Sequence, residues 1–197
     1  ATTNNVVVGG EIRAPKITKN DIENLIRNVV KDIGYDSNGF DYKKLKITNF
    51  IHGQSEDIAM GVDESKNKDE GAGDQGIMFG YACDETEALM PAPIYYSHRI
   101  LHNISDAIKK GDLKGLGPDA KGQITLCYEN GRPIKAESVL VSIQHKEGMT
   151  QDQVREMIRP YVVSTLPDGW MCKEKNFLIN PTGNFVIGGP DGDAGLT

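Results

Sequence analysis

The chain has 197 residues, of which 38% are hydrophobic, so it is long enough to bury the core of one or two domains. Its 22 Lys and Arg residues stand against 28 Asp and Glu residues, and the resulting net charge of −6 without a basic cluster argues against a nucleic-acid partner. No apolar run approaches the ~20 residues needed to cross a bilayer, and three widely separated cysteines indicate a reducing cytoplasm rather than a disulfide scaffold or a zinc cluster.

The first third of the chain predicts a strand, a helix and a second strand. Residues 5–12 are rich in β-branched side chains, as strands are. Apolar side chains recur with helical spacing over residues 21–33, which predicts an amphipathic helix that Gly34 ends. Residues 45–52 predict the second strand, and the polar stretch 53–73 after it predicts a long functional loop.

The middle of the chain predicts a strand, a helix and a hairpin. Residues 75–83 form a short apolar stretch that is typical of a strand. A helix is predicted over about residues 93–110, because two lysines followed by a glycine favour a helix C-terminus. Segments 123–129 and 134–144 predict a hairpin, since the Asn-Gly pair between them tolerates the positive φ of a tight turn.

The last third predicts a helix and two short strands. Thr150 and Gln153 form a capping-box pattern before an apolar helical face, and Pro160 is expected to kink or end that helix. Short strands are predicted at 177–179 and 185–187, on either side of a turn. Helices and strands therefore alternate, which predicts an α/β fold of the α+β type with mixed sheets.

The hexapeptide GAGDQG at residues 71–76 has the spacing of a dinucleotide-binding loop, but its surroundings do not fit that interpretation. The residues before it are charged, those after it are strand-like, and no acid lies about 20 positions further on. A carboxylate at Asp74 also suits a cation better than a phosphate. Asp74 therefore predicts a contact with an ammonium group or a metal, the alternative being a turn in which it bonds its own backbone.

Two long motifs resemble the signatures of the S-adenosylmethionine synthase (methionine adenosyltransferase) family. They are GAGDQGIMFGYACDET, with MPAPI after it, and NPTGNFVIGGPDGDAGLT at residues 180–197. The shorter blocks VGGEI, GFDY, HGQSEDIAMGVD and GPDAKGQIT follow the family's order. The resemblance implies repeated units of mixed β-sheet with helices on one face. It divides the chain into the remainder of a first unit at 1–58, a mobile active-site lid at 59–70, a second unit at 71–187 and the start of a third at 188–197.

The resemblance also implies an activity. In this family the sulfur of methionine attacks C5′ of ATP and displaces triphosphate, which is then hydrolysed to pyrophosphate and phosphate. The implied cofactors are Mg²⁺, two per site, and K⁺. The implied partners are ATP, L-methionine and further copies of the protein, as a homodimer or a dimer of dimers that shares its active sites between subunits.

Site residues follow from the resemblance at the matching positions. The implied catalytic residues are Lys121 and Asp74, and no metal ligand falls within this chain. The implied methionine contacts are Glu11, Gln54, Asp74 and Asp193. The implied ATP contacts are Asp119, Ala120, Lys121, Asn184, Phe185 and Asp193. The chain departs from the family at Asn184, where a basic residue is usual, and at Gly117, where arginine is usual.

The family neutralises its leaving triphosphate partly with blocks that are not among these residues. They are an N-terminal His-Pro-Asp-Lys, a potassium-binding Glu, a Gly-Arg-Lys after the final Gly-Leu-Thr, and a later block rich in lysine and aspartate. We therefore expect this stretch to be part of a longer synthase and to be inactive alone. The alternative is a non-catalytic binding or regulatory relative that has kept only the ligand contacts.

Overall fold

The computed structural model describes residues 1–14, 16–36, 39–63, 69 and 71–195, and within them it confirms a mixed α/β fold. The strands are β1 (Asn5–Ile12), β2 (Lys46–Gly53), β3 (Leu116–Glu129), β4 (Arg132–His145) and β5 (Phe177–Ile179). The helices are α1 (Lys19–Ile33), α2 (Glu56–Val62), α3 (Ala92–Lys110) and α4 (Gln151–Thr165), with short 3₁₀ turns at Glu174–Asn176 and Gly189–Asp191. No helix in the described ranges is both long enough and apolar enough to span a membrane.

The N-terminal part of the chain is a parallel pair of strands with a crossover helix. β1 pairs with β2 along its whole length, and α1 lies between them in sequence, as a parallel connection requires. Thr18 and Asp21 cap α1 reciprocally, and Gly34 ends it with a φ of 107°, in the left-handed region. Val30, Phe40 and Leu45 form a small buried cluster in the described residues of this part.

The larger core lies under the hairpin of β3 and β4. The predicted turn is confirmed, with Asn130 and Gly131 at φ 49° and 75°, and β5 adds in parallel to β4. Alternate residues of β4 point into the core, as the two-residue period of a strand requires. They meet the apolar faces of α3 and α4, and the most buried members are Ile100, Ile104, Val139, Val141, Ile143, Val154, Ile158, Val162, Phe177 and Ile179.

Three sequence-based predictions of local structure are wrong. Residues 75–83 form no strand; Phe79 among them is 93% exposed, because no strand of the described residues pairs with this segment. α4 continues past Pro160 to Thr165, since this proline lies on the exposed side, where water can satisfy the carbonyl that its missing N–H leaves unpaired. Residues 185–187 form no strand either, because side chains at the end of β4 bond to their backbone in place of a regular ladder.

The polar stretch at 53–73 is partly helical, because α2 occupies Glu56–Val62 within it. The lid predicted at 59–70 therefore begins inside this helix. Residues 64–68 and 70 of that predicted lid lie outside the described residues. The mobility of the lid stays a prediction.

The capping box of α4 gives a test of local stability. Thr150 Oγ1 accepts from the backbone N–H of Gln153 at 3.2 Å, and Gln153 Oε1 accepts from the N–H of Thr150 at 2.8 Å. Thr150→Ala is expected to lower the free energy of unfolding by about 1 kcal/mol, measured by urea denaturation. Thr150→Ser keeps the hydroxyl and is expected to retain most of that stability. Equal losses in the two variants would show that the hydroxyl does not act as a cap.

Candidate functional site

Asp119, Lys121 and Asp193 lie together where β3 meets the C-terminal glycine-rich loop. Lys121 Nζ is 3.9 Å from Asp193 Oδ2, and the two side chains are 72% and 78% exposed. The backbone N–H of Gly189 donates to Asp119 Oδ2 at 2.7 Å, which fixes the loop against β3. The structure thus brings Asp119 and Lys121 together with Asp193, a third predicted site residue that lies more than 70 positions later in the sequence. We call them the Asp119 group.

Glycine is required where the loop approaches β3 and the end of α1. Gly189 has a φ of 64°, and a Cβ built there would lie 2.5 Å from the ring of Tyr35. A Cβ at Gly188 would lie 2.9 Å from Asp119 Oδ2. These glycines therefore let the backbone come close enough for Gly189 N–H to reach the carboxylate.

Tyr35 lies beside the Asp119 group and was not predicted from the sequence. Burial, and then the carboxylates of Asp119 and Asp193, raise the pKa of Tyr35 to about 12, so its phenol is neutral at physiological pH. It lines a cavity of about 490 Å³ together with Asp119, Gly189 and Asp193, and residues of β1 and α1 form the other wall. In the sequence Tyr35 is only the residue after a helix-ending glycine, and no motif marks it.

Phe185, the predicted adenine contact, is held at the end of β4 by His145. The backbone N–H of His145 donates to the Phe185 carbonyl at 2.9 Å, and the N–H of Phe185 donates to His145 Nε2 at 3.1 Å. Gln144 Nε2 donates to the Val186 carbonyl at 3.1 Å. Side chains thus replace most of the backbone ladder, which is why 185–187 is not a regular strand. The neighbouring Asn184 is exposed.

Ala120 lies between Asp119 and Lys121 on β3 and pairs with Ile143 of β4. It packs against the larger core, so its two neighbours are anchored to a rigid element. The Asp119 group and Phe185 are therefore both positioned by the last residues of β4.

The predicted methionine contacts Glu11 and Gln54 lie at the same end of the β1–β2 pair. Glu11 pairs with His52 across the sheet, and His52 Nε2 is 3.6 Å from Glu11 Oε1. The backbone N–H of Gln54 donates to the Ile12 carbonyl at 3.1 Å. Because the carboxyl ends of parallel strands meet at one edge, both residues lie at that edge.

Asp74 is connected to that edge through α2. The helix begins two residues after Gln54 and is about 10 Å long at 1.5 Å per residue. At its end, the carbonyl of Val62 accepts a hydrogen bond from the backbone N–H of Gly71. Asp74 Oδ1 accepts from the backbone N–H of Gln75 at 2.7 Å, a local contact like the one expected of the turn interpretation. A carboxylate has about four acceptor sites, so this bond leaves room for a cation.

The two sets of predicted residues are not joined to each other. Among the described residues, no hydrogen bond or ion pair links Glu11, Gln54 or Asp74 to the Asp119 group. In that same part of the chain, no three His, Cys, Asp or Glu side chains are grouped so that they could hold a metal ion.

Comparison with known proteins places both sets of residues in one family. The N-terminal domain of S-adenosylmethionine synthetase matches residues 1–56, and its central domain matches residues 69–185. The S-adenosylmethionine synthases of Rhodospirillum centenum and Acidiphilium cryptum are 60% and 57% identical over the whole chain, which covers 51% and 50% of their lengths. A solved structure described as an unusual S-adenosylmethionine synthetase from Campylobacter jejuni superposes with a TM-score of 0.79 at 30% identity.

That superposition covers 96% of this chain and 50% of the Campylobacter protein. The chain thus spans about half the length of the relatives that it matches. The chain matches two consecutive domains of the family, and its identity to these relatives is 57–60% along its full length. The chain belongs to the S-adenosylmethionine synthetase family.

Proposed function

We propose that this chain is part of an S-adenosylmethionine synthase, with ATP and L-methionine as substrates. In the proposed reaction a lone pair of the methionine sulfur forms a bond to C5′ of ATP, and the C5′–O bond breaks. The bonding electrons leave with triphosphate, and the sulfur becomes a sulfonium. Water then cleaves the triphosphate to pyrophosphate and phosphate.

The observation that carries the proposal is the assembly of the Asp119 group, together with the hold of β4 on Phe185 through His145. Residues from two separate family motifs meet in that group, and Asp119 and Asp193 line one cavity with Tyr35 and Gly189. An aromatic ring next to charged groups suits a nucleotide, because the base can stack on the ring while the phosphates meet the lysine. We propose Phe185 as the adenine wall and Lys121 as the cation on the phosphates, with Ala120 and Asn184 at the edge.

The charges of the Asp119 group favour the proposal that further cations act on the triphosphate. One lysine beside two carboxylates gives the three side chains a net charge of −1, which alone would repel a polyanion. The described residues do not gather a complete metal centre. We therefore propose that Mg²⁺ and K⁺ are held mainly by parts of the protein beyond this stretch, which alone would be inactive.

We propose that methionine binds at the edge formed by Glu11, Gln54 and the GAGDQG loop. Three groups there suit an amino acid. The carboxylates of Asp74 and Glu11 attract an ammonium, and the Gln54 amide can bond a carboxylate. We propose that Asp193 touches both substrates, since it lies on the cavity that extends from the Asp119 group toward β1.

Uncovered apolar surface supports self-association of the protein. Val7 on β1 and Phe50 on β2 are 62% and 64% exposed, and apolar residues of the 75–83 segment are exposed as well. Exposed apolar side chains in this number favour an interaction site. We propose that the protein forms homodimers, or dimers of dimers, in which sheet faces are covered and active sites are shared.

The proposal is tested by incubating the full-length protein with ATP, methionine, Mg²⁺ and K⁺ and measuring S-adenosylmethionine by mass spectrometry. We expect one pyrophosphate and one phosphate to be released per S-adenosylmethionine formed. Saturable binding of ATP or methionine without product would instead favour a non-catalytic relative. The same assay on residues 1–197 alone is expected to give no product.

A further inference from the structure

We infer that His145 is a positioning residue for the adenine wall, acting through the main chain of Phe185. The inference rests on the proposed function, since it assumes that Phe185 meets the base. His145 is the last residue of β4, and only 3% of it is exposed to solvent. It belongs to neither of the two long family motifs, and the sequence gives it no functional signal.

The hydrogen bonds of His145 determine its tautomer. A backbone N–H can only donate, so Nε2, which receives the Phe185 N–H at 3.1 Å, must be the unprotonated nitrogen. The ring is then neutral and carries its proton on Nδ1, which donates to the Lys146 carbonyl at 2.9 Å. The imidazole therefore bridges its own strand and the Phe185 segment.

Phe185 is consequently bonded twice by one residue. Its carbonyl accepts from the His145 backbone at 2.9 Å, and its N–H donates to the His145 ring. No other residue of the described chain supplies Phe185 with a backbone hydrogen bond. Without the ring, the Phe185 N–H would lose its acceptor, and the aromatic side chain would be held by one backbone bond.

We call the hydrogen bond from the Phe185 N–H to His145 Nε2 the clamp. The strand that carries it, β4, also links Phe185 to the Asp119 group. Two residues before His145, Ile143 pairs with Ala120, the residue between Asp119 and Lys121. β4 thus sets the distance from the Phe185 ring to the lysine through a rigid, buried strand. A nucleotide would contact the Phe185 ring with its base and Lys121 with its triphosphate, so a shift of the ring would weaken its binding. The binding of methionine at the β1–β2 edge would not change.

Two substitutions of His145 by amide side chains distinguish the loss of the clamp from a general loss of packing. Glutamine at position 145 can place an amide oxygen near the position of Nε2, so H145Q keeps an acceptor for the Phe185 N–H. Asparagine reaches only the position of Nδ1, so H145N keeps the bond to Lys146 and loses the clamp. Because the removed bond leaves a partly buried donor unpaired, we expect H145N to raise the KM for ATP about tenfold, while H145Q stays within about threefold of wild type. The KM for methionine is expected to change little in both.

Hydrogen exchange provides a readout that does not depend on turnover. The Phe185 amide is expected to exchange about tenfold faster in H145N than in wild type or H145Q, as the loss of one hydrogen bond implies. A ¹⁵N spectrum of the wild-type histidine should show the proton on Nδ1. Unchanged Phe185 exchange in H145N, or a proton on Nε2, would overturn the clamp. An equal rise in both KM values in both variants would overturn its role in nucleotide positioning.

The same experiments separate this inference from the proposed function. If the wild-type full-length protein makes no S-adenosylmethionine, the proposed function fails and the nucleotide role of His145 fails with it. If the wild type is active and H145N keeps the wild-type KM for ATP, only the role of His145 is contradicted.

Discussion

Replacing Lys121 by methionine is expected to lower kcat of the full-length protein by about 10²–10³-fold, the usual effect of removing one group that stabilises developing charge. Lys121 is the single lysine or arginine of the Asp119 group, where two carboxylates already surround the proposed triphosphate site. Without it these side chains carry −2, and the leaving group gains charge as the C5′–O bond breaks. Methionine keeps the length and the apolar stem of lysine, so packing should be little affected.

Two controls make the Lys121 result specific. Lys135→Met removes an exposed lysine toward the turn end of the same hairpin and is expected to leave kcat unchanged. Lys121→Arg keeps the charge with a different shape and is expected to recover part of the rate. Steady-state rates of S-adenosylmethionine formation measure all three variants. A kcat for Lys121→Met within about threefold of wild type would exclude Lys121 from transition-state stabilisation.

Gly189→Ala is expected to lower the free energy of unfolding by about 2–5 kcal/mol and to weaken ATP binding. The left-handed backbone at φ 64° costs a non-glycine residue about 1–2 kcal/mol. In addition, the new Cβ would lie 2.5 Å from the Tyr35 ring, and relieving such overpacking costs about 1–3 kcal/mol. Moving the loop also breaks the bond from Gly189 N–H to Asp119 Oδ2, so the Asp119 group would lose its geometry.

Gly183→Ala separates backbone strain from the steric clash. Gly183 also has a left-handed φ, of 90°, but a Cβ there meets nothing within 4 Å. Gly183→Ala is expected to lower the free energy of unfolding by about 1 kcal/mol. Urea denaturation and isothermal titration with an ATP analogue measure the two effects. Equal losses in the free energy of unfolding in both variants would show that the contact with Tyr35 does not add to the destabilisation.

The sequence predicts the elements that carry their own local signals. α1 and α4 have capping boxes, α1 and α3 end at glycines, and an Asn-Gly turn joins β3 to β4. The failures occur where structure depends on distant partners. Residues 75–83 have the composition of a strand but meet no edge to pair with among the described residues, and 185–187 are held by side chains of β4.

The candidate site likewise contains residues that a motif marks in the sequence and residues that no motif marks. Asp119, Lys121, Phe185 and Asp193 could be selected in advance because they lie in motifs that resemble a family, and their roles stay predictions. Tyr35 and His145 could not be selected, because their positions depend on contacts between residues 40 to 160 positions apart. A phenol next to a helix stop or a histidine at a strand end carries no signal of that contact.

A crystal structure of the full-length protein with a non-hydrolysable ATP analogue and methionine tests the central claim most directly. We predict the adenine ring against Phe185, the triphosphate next to Lys121, and the methionine ammonium within ion-pair distance of Asp74. Nucleotide bound elsewhere, with Phe185 and Lys121 not touching it, would contradict the assignment of this face as the substrate site.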